Sequence, residues 1–282
     1  MTARALVLRA AGSNCERETA WTLNQAGAES DILHVNELLA APGRLLDYQL
    51  MAVPGGFSYG DDLGSGVVFA NQLRTRLKPQ IEKFVEDGRL ILGICNGFQV
   101  LLRAGLLTGR DVFDDPPRAT LAFNLSGRYE DRWVDLRIVS EKSPFVSGRK
   151  IVTYPVAHAE GRFTAPDALL DELEADQQVV FQYVDAAGRP TQDYPANPNG
   201  ASRGIAGICS KSGQVLGLMP HPERNVRHFH HPNWTRMQTR SGLPAEVLAK
   251  AGDGFELFQN AVRRAGQLVG RDPPSAAPAR YA

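Results

Sequence analysis

The sequence predicts an α/β fold: an open, mostly parallel, doubly wound sheet with flanking helices, and a smaller antiparallel β element in the second half. Three observations lead there. Short, fully apolar runs of strand length alternate with helical stretches over the first part of the chain, which is the signature of βαβ units. Glycine-rich turns close several of those runs at their carboxyl ends. Past about residue 130 the pattern changes to the period-two alternation of half-exposed, antiparallel strands.

In order, Ala5-Leu6-Val7-Leu8 reads as a first buried strand. The loop Gly12-Ser13-Asn14-Cys15 follows, then a helix from Glu16 to Gln25 closed by Gly27. Residues 31–35 and 48–53 read as the next strands, the second halting at Pro54-Gly55-Gly56. Leu73, Leu77, Ile81, Phe84 and Val85 fall on one stripe, so a single amphipathic helix is expected over 73–88. It delivers the chain to a fourth strand at Leu90. Residues 133–139, 152–158 and 178–184 suggest further strands, and 205–209 with 215–219 a hairpin. Phe255, Phe258, Val262 and Ala265 share one face of a final helix. Residues 1–270 thus read as one domain carrying an insertion at about 225–252, and the proline- and alanine-rich tail 271–282 is expected to be disordered.

A chain of 282 residues, 43% hydrophobic and 22% charged, is long enough to bury a substantial core. Lysine plus arginine and aspartate plus glutamate number 31 each, so neither nucleic acid nor an anionic membrane is an expected partner. No apolar run reaches the length of a membrane span, and the amino terminus lacks the layout of a signal peptide. The cysteines, Cys15, Cys95 and Cys209, include no CxxC pair, which argues against a disulfide framework or zinc and for a reducing, cytoplasmic setting.

Three short motifs carry chemistry. Gly93-Ile94-Cys95-Asn96-Gly97 stands between a strand and a helix, the frame of a nucleophile elbow, in which flanking glycines let the chain turn sharply and expose the side chain above the sheet. The helix that follows aims its positive end at the sulfur and favours the thiolate. Gly55-Gly56-Phe57-Ser58-Tyr59-Gly60-Asp61 follows a strand but lacks the lysine of a phosphate loop; it offers backbone N–H groups to a crevice, or is a plain turn. In Pro220-His221-Pro222-Glu223, residues 221 and 223 project to the same side of an extended segment, so the carboxylate can orient the imidazole. Alone, each has a plainer reading: a buried small hydrophobe, a glycine turn, a surface ion pair. Their joint occurrence at three strand ends favours chemistry. His228, His230 and His231 lack an acidic or thiol partner at ligand spacing, and no metal is assigned to them.

With these residues in view, the chain resembles class I (triad) glutamine amidotransferases, most closely the glutaminase-subunit family of phosphoribosylformylglycinamidine synthase. Gly93 to Gln99 is similar to that family's nucleophile motif, with Phe98 where other amidotransferases usually carry His; Gly55 to Asp61 matches its oxyanion loop, and Pro220 to Glu223 its His-Glu element. Gly12-Ser13-Asn14-Cys15 and Ala157-His158-Ala159-Glu160-Gly161 are further marks of it. The resemblance implies Cys95 as nucleophile, His221 as general acid and base, and Glu223 as its orienter. It implies an oxyanion hole from the N–H groups of Gly56 and Asn96, and Gln99 against the glutamine. His158, Glu160 and Gly161 would serve substrate contact or partner signalling. Ser13 and Asn14 would line the pocket, or cap the following helix. It further implies no cofactor in this chain, with ATP and Mg2+ on a synthetase partner that binds formylglycinamide ribonucleotide, and it leaves room for a small third subunit. Residues 225–252 depart from the shorter bacterial form, which bears on the partner interface and not on the triad. Two rivals are a free-standing hydrolase on the same sheet and a non-catalytic subunit.

Overall fold

In the computed structural model, which describes residues 2–109, 112–113, 117–148, 150–236 and 251–270, the first half of the chain supplies β1 (Arg4–Arg9), α1 (Glu16–Gln25), β2 (Glu29–His34), α2 (Val35–Ala40), β3 (Leu50–Val53), α3 (Val67–Arg76), α4 (Lys78–Glu86), β4 (Leu90–Ile94) and α5 (Asn96–Ala104). The second half adds β5 (Thr120–Ala122), β6 (Glu130–Ile138), β7 (Ile151–His158), β8 (Arg162–Thr164), α6 (Asp167–Ala175), β9 (Val179–Tyr183), β10 (Ile205–Cys209), β11 (Val215–Leu218) and α7 (Phe255–Gly266). Nine strands form one sheet in the order β2-β1-β3-β4-β11-β10-β9-β6-β7. Its members from β2 to β11 run parallel. The rest continue it antiparallel, and β5 and β8 pair separately as a small antiparallel ribbon.

Every residue of β3, β4 and β11 is buried, which is why these strands read as unbroken apolar runs: helices cover both of their faces. α1 packs with α7, and α3 with α5. The hairpin of β10 and β11 places β11 beside β4 at the centre of the sheet. The far edge then folds back, because the His221 N–H donates to the Pro155 carbonyl at 2.8 Å and Asn225 Nδ2 to the Thr153 carbonyl at 2.7 Å. The end of β7 thereby comes to the mouth of the central strands.

One expected element differs. The single helix over 73–88 is two, α3 and α4, separated at Leu77, whose ψ of 5° breaks the helical path. Pro79, in the first turn of α4, has no N–H to give to the preceding turn and its ring crowds the carbonyl there, so a new helix starts instead. Leu73, Leu77, Ile81, Phe84 and Val85 are nevertheless all buried. The two-stranded ribbon supplies the smaller antiparallel β element expected beside the main sheet, and α6, which buries Leu169, Leu170 and Leu173, is an addition to the expected elements. Residues 237–250 of the insertion and the tail 271–282 lie outside the described residues. In the part of the insertion that is described, the His231 ring packs on Trp133 at 5.2 Å and its Nδ1 accepts the Asn233 N–H. No described helix is long and apolar enough to cross a membrane.

α5 packs closely on β3, where a Cβ on Gly97 would stand 1.9 Å from the Val53 carbonyl oxygen. Gly97→Ala is therefore expected to cost about 3 kcal/mol or more, seen as a lower urea midpoint at unchanged slope. Gly43→Ala, where nothing lies within 4 Å, should shift stability by less than about 0.5 kcal/mol. Equal midpoints for the two variants would show that α5 has room to move away from β3.

Candidate active site

The neighbouring strands β3, β4 and β11 point the same way and end in register, with Val53 beside Gly93 and Gly93 beside Gly217. The loops after them therefore open on one crevice at the carboxyl edge of the sheet, the place where such sheets hold their ligands. Those loops carry Gly55 and Gly56, then Cys95, then His221 and Glu223. Cys95 stands between the last residue of β4 and the first of α5 with φ +52° and ψ −107°. A left-handed φ in a non-glycine residue costs about 1–3 kcal/mol. It persists here because the Cys95 N–H is fixed to the Leu218 carbonyl at 2.8 Å while the Cys95 carbonyl already accepts the Gln99 N–H of α5 at 3.1 Å. The elbow lifts the sulfur out of the sheet toward the end of β7, where Sγ lies 3.6 Å from the Ala157 carbonyl.

His221 Nδ1 sits 2.6 Å from Glu223 Oε1, and both side chains are almost wholly buried. The imidazole interacts with the thiols of both Cys95 and Cys15. Burial alone would strip the proton from His221, but the Glu223 carboxylate and the two thiols outweigh it and hold its pKa well above the usual histidine value. Gly55 closes this cluster from the side. A Cβ there would lie 2.9 Å from His221 Cε1, 3.1 Å from Cys15 Sγ and 3.5 Å from Cys95 Cβ. Cys15 donates to Asn14 Oδ1 at 3.1 Å and receives Arg224 Nη2 at 3.0 Å, and burial pushes its thiol pKa up. Ligand atoms of Cys15, His221 and Glu223 lie within 4.8 Å of one another. The Arg224 guanidinium on Cys15 puts positive charge where a cation would sit, so the donor set does not suit a metal.

Two backbone donors border the nucleophile. Ser13 and Gly56 form an isolated antiparallel bridge whose hydrogen bonds run from the Asn14 N–H to the Gly55 carbonyl and from the Phe57 N–H to the Gly12 carbonyl. That register leaves the Gly56 N–H out of the bridge. Its φ of +138° suits glycine, and a Cβ would collide with Asn14 N at 2.7 Å. Asn96 opens α5, so its N–H has no acceptor within the helix. The Asn96 side chain ties the start of α5 to the loop after β3, because its Oδ1 accepts the Ser58 N–H at 3.2 Å.

The remaining sequence-derived residues are arranged around this centre. Gln99 is buried and committed at both ends, its Oε1 accepting Asn96 Nδ2 at 2.9 Å and its Nε2 donating to the Glu160 carbonyl at 2.6 Å. The Glu160 carboxylate is 3.9 Å from Arg103 Nη2, and the Gly161 N–H donates to Asn124 Oδ1 at 3.0 Å. His158 packs flat on Gly161, with Nδ1 3.2 Å from Asn124 Oδ1; burial lowers its pKa to about 3, so the ring is neutral. Ser13 Oγ accepts the Ala10 N–H at 3.1 Å, and Cys15, not Ser13 or Asn14, occupies the cap position of α1, without a side-chain cap bond. Three participants escaped the sequence reading as site residues: Cys15, Arg224 and Asn124. Cys15 and Arg224 flank motif residues directly, but Asn124 lies in a loop with no local pattern to mark it.

Replacing Glu223 by Gln removes the charge that raises His221, so the imidazolium should be lost at lower pH. The limb of the pH–activity profile that falls as His221 deprotonates is expected to move toward acid, and the rate to drop by about 10²–10⁴. An unmoved limb would mean that another group sets it.

The comparisons with known proteins agree with this geometry. A sequence model of the CobB/CobQ-like glutamine amidotransferase domain matches residues 2–263. The chain is 44% identical to the phosphoribosylformylglycinamidine synthase subunit PurQ of Dehalococcoides mccartyi over 266 residues, covering 94% of this chain and 98% of that one. It is 40% identical over 236 residues to the phosphoribosylformylglycinamidine synthase of Drosophila melanogaster, covering 81% of this chain but 17% of that much longer protein. Among solved structures it is similar to a chain of PurLQS from Thermotoga maritima, with a TM-score of 0.68 and 32% identity over 93% of this chain and 99% of that one. The chain belongs to the family of CobB/CobQ-like glutamine amidotransferase domains that includes the PurQ subunits.

Proposed function

We propose that this chain is the glutaminase subunit of phosphoribosylformylglycinamidine synthase, with Cys95, His221 and Glu223 as its triad. The observation that carries the assignment of residues is the strained elbow that sets Cys95 against the buried His221–Glu223 pair. The family and the 44% identity to a PurQ subunit support the reaction.

The steps follow from the geometry. The Cys95 thiolate attacks the carbon of the glutamine side-chain amide, and the carbonyl π pair moves onto oxygen. The backbone N–H groups of Gly56 and Asn96 receive that oxyanion; a donor of this kind is worth about 3–4 kcal/mol. The intermediate collapses with cleavage of the C–N bond, and His221, protonated beside Glu223, gives its proton to the departing nitrogen as ammonia. A water molecule, deprotonated by His221, then attacks the glutamyl thioester; the C–S bond breaks, glutamate leaves, and the Cys95 thiolate is returned beside a protonated His221. Glu223 holds the imidazole in one orientation throughout.

Ammonia serves a synthesis only if it reaches an acceptor. The partner is the synthetase subunit, which binds formylglycinamide ribonucleotide and carries ATP and Mg2+, and the match to a chain of PurLQS supports such an assembly with a small third subunit. The setting is cytoplasmic, a reading supported by three cysteines that are all free and buried.

The test is glutamine hydrolysis by the chain alone and in a mixture with the synthetase, ATP and formylglycinamide ribonucleotide. Hydrolysis should be weak alone and rise at least about tenfold in the mixture. Cys95→Ala should abolish both, and an electrophilic glutamine analogue should label Cys95. High activity without the partner would point to a free-standing hydrolase instead, and absence of turnover throughout to a non-catalytic subunit.

A further inference from the structure

Asn124 is unlike the residues around it. Phe123 and Leu125 on either side are each 69% exposed, yet Asn124 is 3% exposed. All of its polar groups are used. Its backbone N–H donates to the Ala159 carbonyl at 2.8 Å. Its Nδ2 donates to the His158 carbonyl at 2.8 Å and to the Arg128 carbonyl at 2.9 Å. Its Oδ1 accepts the Gly161 N–H at 3.0 Å and faces His158 Nδ1 at 3.2 Å. The backbone partners fix which end of the amide is which: two carbonyls demand the NH2, and a backbone N–H demands the oxygen. His158 must then carry its proton on Nδ1, consistent with a ring kept neutral by burial.

One side chain thus clamps the segment 158–161, and that segment is tied to the nucleophile from two directions. The Ala157 carbonyl lies 3.6 Å from Cys95 Sγ. The Glu160 carbonyl holds Gln99 Nε2, Gln99 Oε1 holds Asn96 Nδ2, and Asn96 Oδ1 holds the Ser58 N–H. The chain of hydrogen bonds therefore runs from Asn124 to both sides of the oxyanion hole, the first turn of α5 and the loop after β3. Outside, the Phe57 ring of the loop after β3 lies 6.5 Å from the Tyr129 ring, which belongs to the loop that carries Asn124.

We propose that Asn124 is a positioning residue of the glutaminase site: by fixing residues 158–161 it sets, through Gln99 and Asn96, where the oxyanion donors stand relative to Cys95. This rests on the glutaminase reading above. Asn124 touches no reacting atom, so its removal leaves the triad and its charges in place. The loss should fall on the transition state, because the oxyanion exists only there, and not on the binding of glutamine.

The test uses the assembled complex with the synthetase and its substrates. In Asn124→Ala, kcat for glutamine-dependent synthesis should fall about tenfold to a hundredfold, with KM for glutamine within about threefold of wild type. Synthesis fed with free ammonia should be unchanged, which reports that the complex is folded and assembled. Gln99→Met, which cuts the same chain of bonds further on, should give a similar loss, and the double variant should be no worse than either single one. If Asn124→Ala does not assemble, Asn124→Asp decides by the same readouts, since it keeps the size of the side chain and the Gly161 bond but turns both Nδ2 donations into repulsions. An unchanged kcat, a loss confined to KM, or single effects that multiply in the double variant would overturn the inference. Glutamine-dependent turnover in Cys95→Ala would instead overturn the glutaminase reading.

Discussion

The site depends on one local constraint, the left-handed backbone of Cys95. A residue at φ +52° is unfavourable by itself and is held only because its neighbours are already fixed. On one side the Cys95 N–H is spent on Leu218 of β11; on the other α5 is pressed against β3 at Gly97. The three central parallel strands thus do more than carry the catalytic loops. Their spacing forces the turn between β4 and α5 to be so short that the side chain at its apex has nowhere to go but out of the sheet. The same register brings the ends of β3 and β11 alongside, which is why a donor loop and a His-Glu pair meet the sulfur without any long-range adjustment.

The electrostatics follow from enclosure. His221 and Glu223 are buried as deeply as core leucines, and each keeps one atom, Nε2 and Oε2, without a hydrogen bond among the described residues. Such a pair contributes little to stability, because desolvation offsets most of the attraction. Its value is chemical. A carboxylate in this setting keeps the imidazole protonated against the pull of burial, which is what the proposed mechanism asks of an acid that protonates the leaving nitrogen. His158, a few residues from the same crevice, shows the opposite outcome. Without a carboxylate beside it, burial wins and the ring stays neutral. Two histidines in one neighbourhood are thereby separated into a proton donor and a fixed hydrogen-bonding group.

Much of this was legible in the chain because it is local. The apolar runs at Leu50 and Leu90 and the glycines around Cys95 each follow from a few adjacent residues and sit where their pattern implies, and His221 and Glu223 meet as expected, although through a 3-10 turn at Pro222–Arg224 and not by alternation along an extended segment. What the sequence hid is what only the folded chain brings together. The stripe from Leu73 to Val85 marks a face that is buried, yet Pro79 divides the helix that carries it, since periodicity records a face and not the continuity of the backbone. Gln99, on α5 one turn past Cys95, has partners that no local pattern announces. Its amide is spent on Asn96 and Glu160, and the Glu160 contact reaches across 61 residues to a segment that arrives only because the sheet folds back. Cys15 and Asn124 belong to the same class, being near the nucleophile in space through partners far off in sequence.

That folding back also explains how an edge strand comes to matter to a site built on the centre of the sheet. β7 is the last strand in the order, yet its end supplies a carbonyl 3.6 Å from the Cys95 sulfur, and its Pro155 carbonyl anchors the His221 N–H. A doubly wound sheet alone would leave the crevice open to water on that side. Here the antiparallel extension supplies a wall, and Cys95 is left only 5% exposed. On the proposed mechanism, the N–H groups of Gly56 and Asn96 would act in this enclosure at low dielectric, where each is worth more than it would be in water. The parallel half of the sheet therefore makes the nucleophile, and the antiparallel half makes the environment in which that nucleophile is effective.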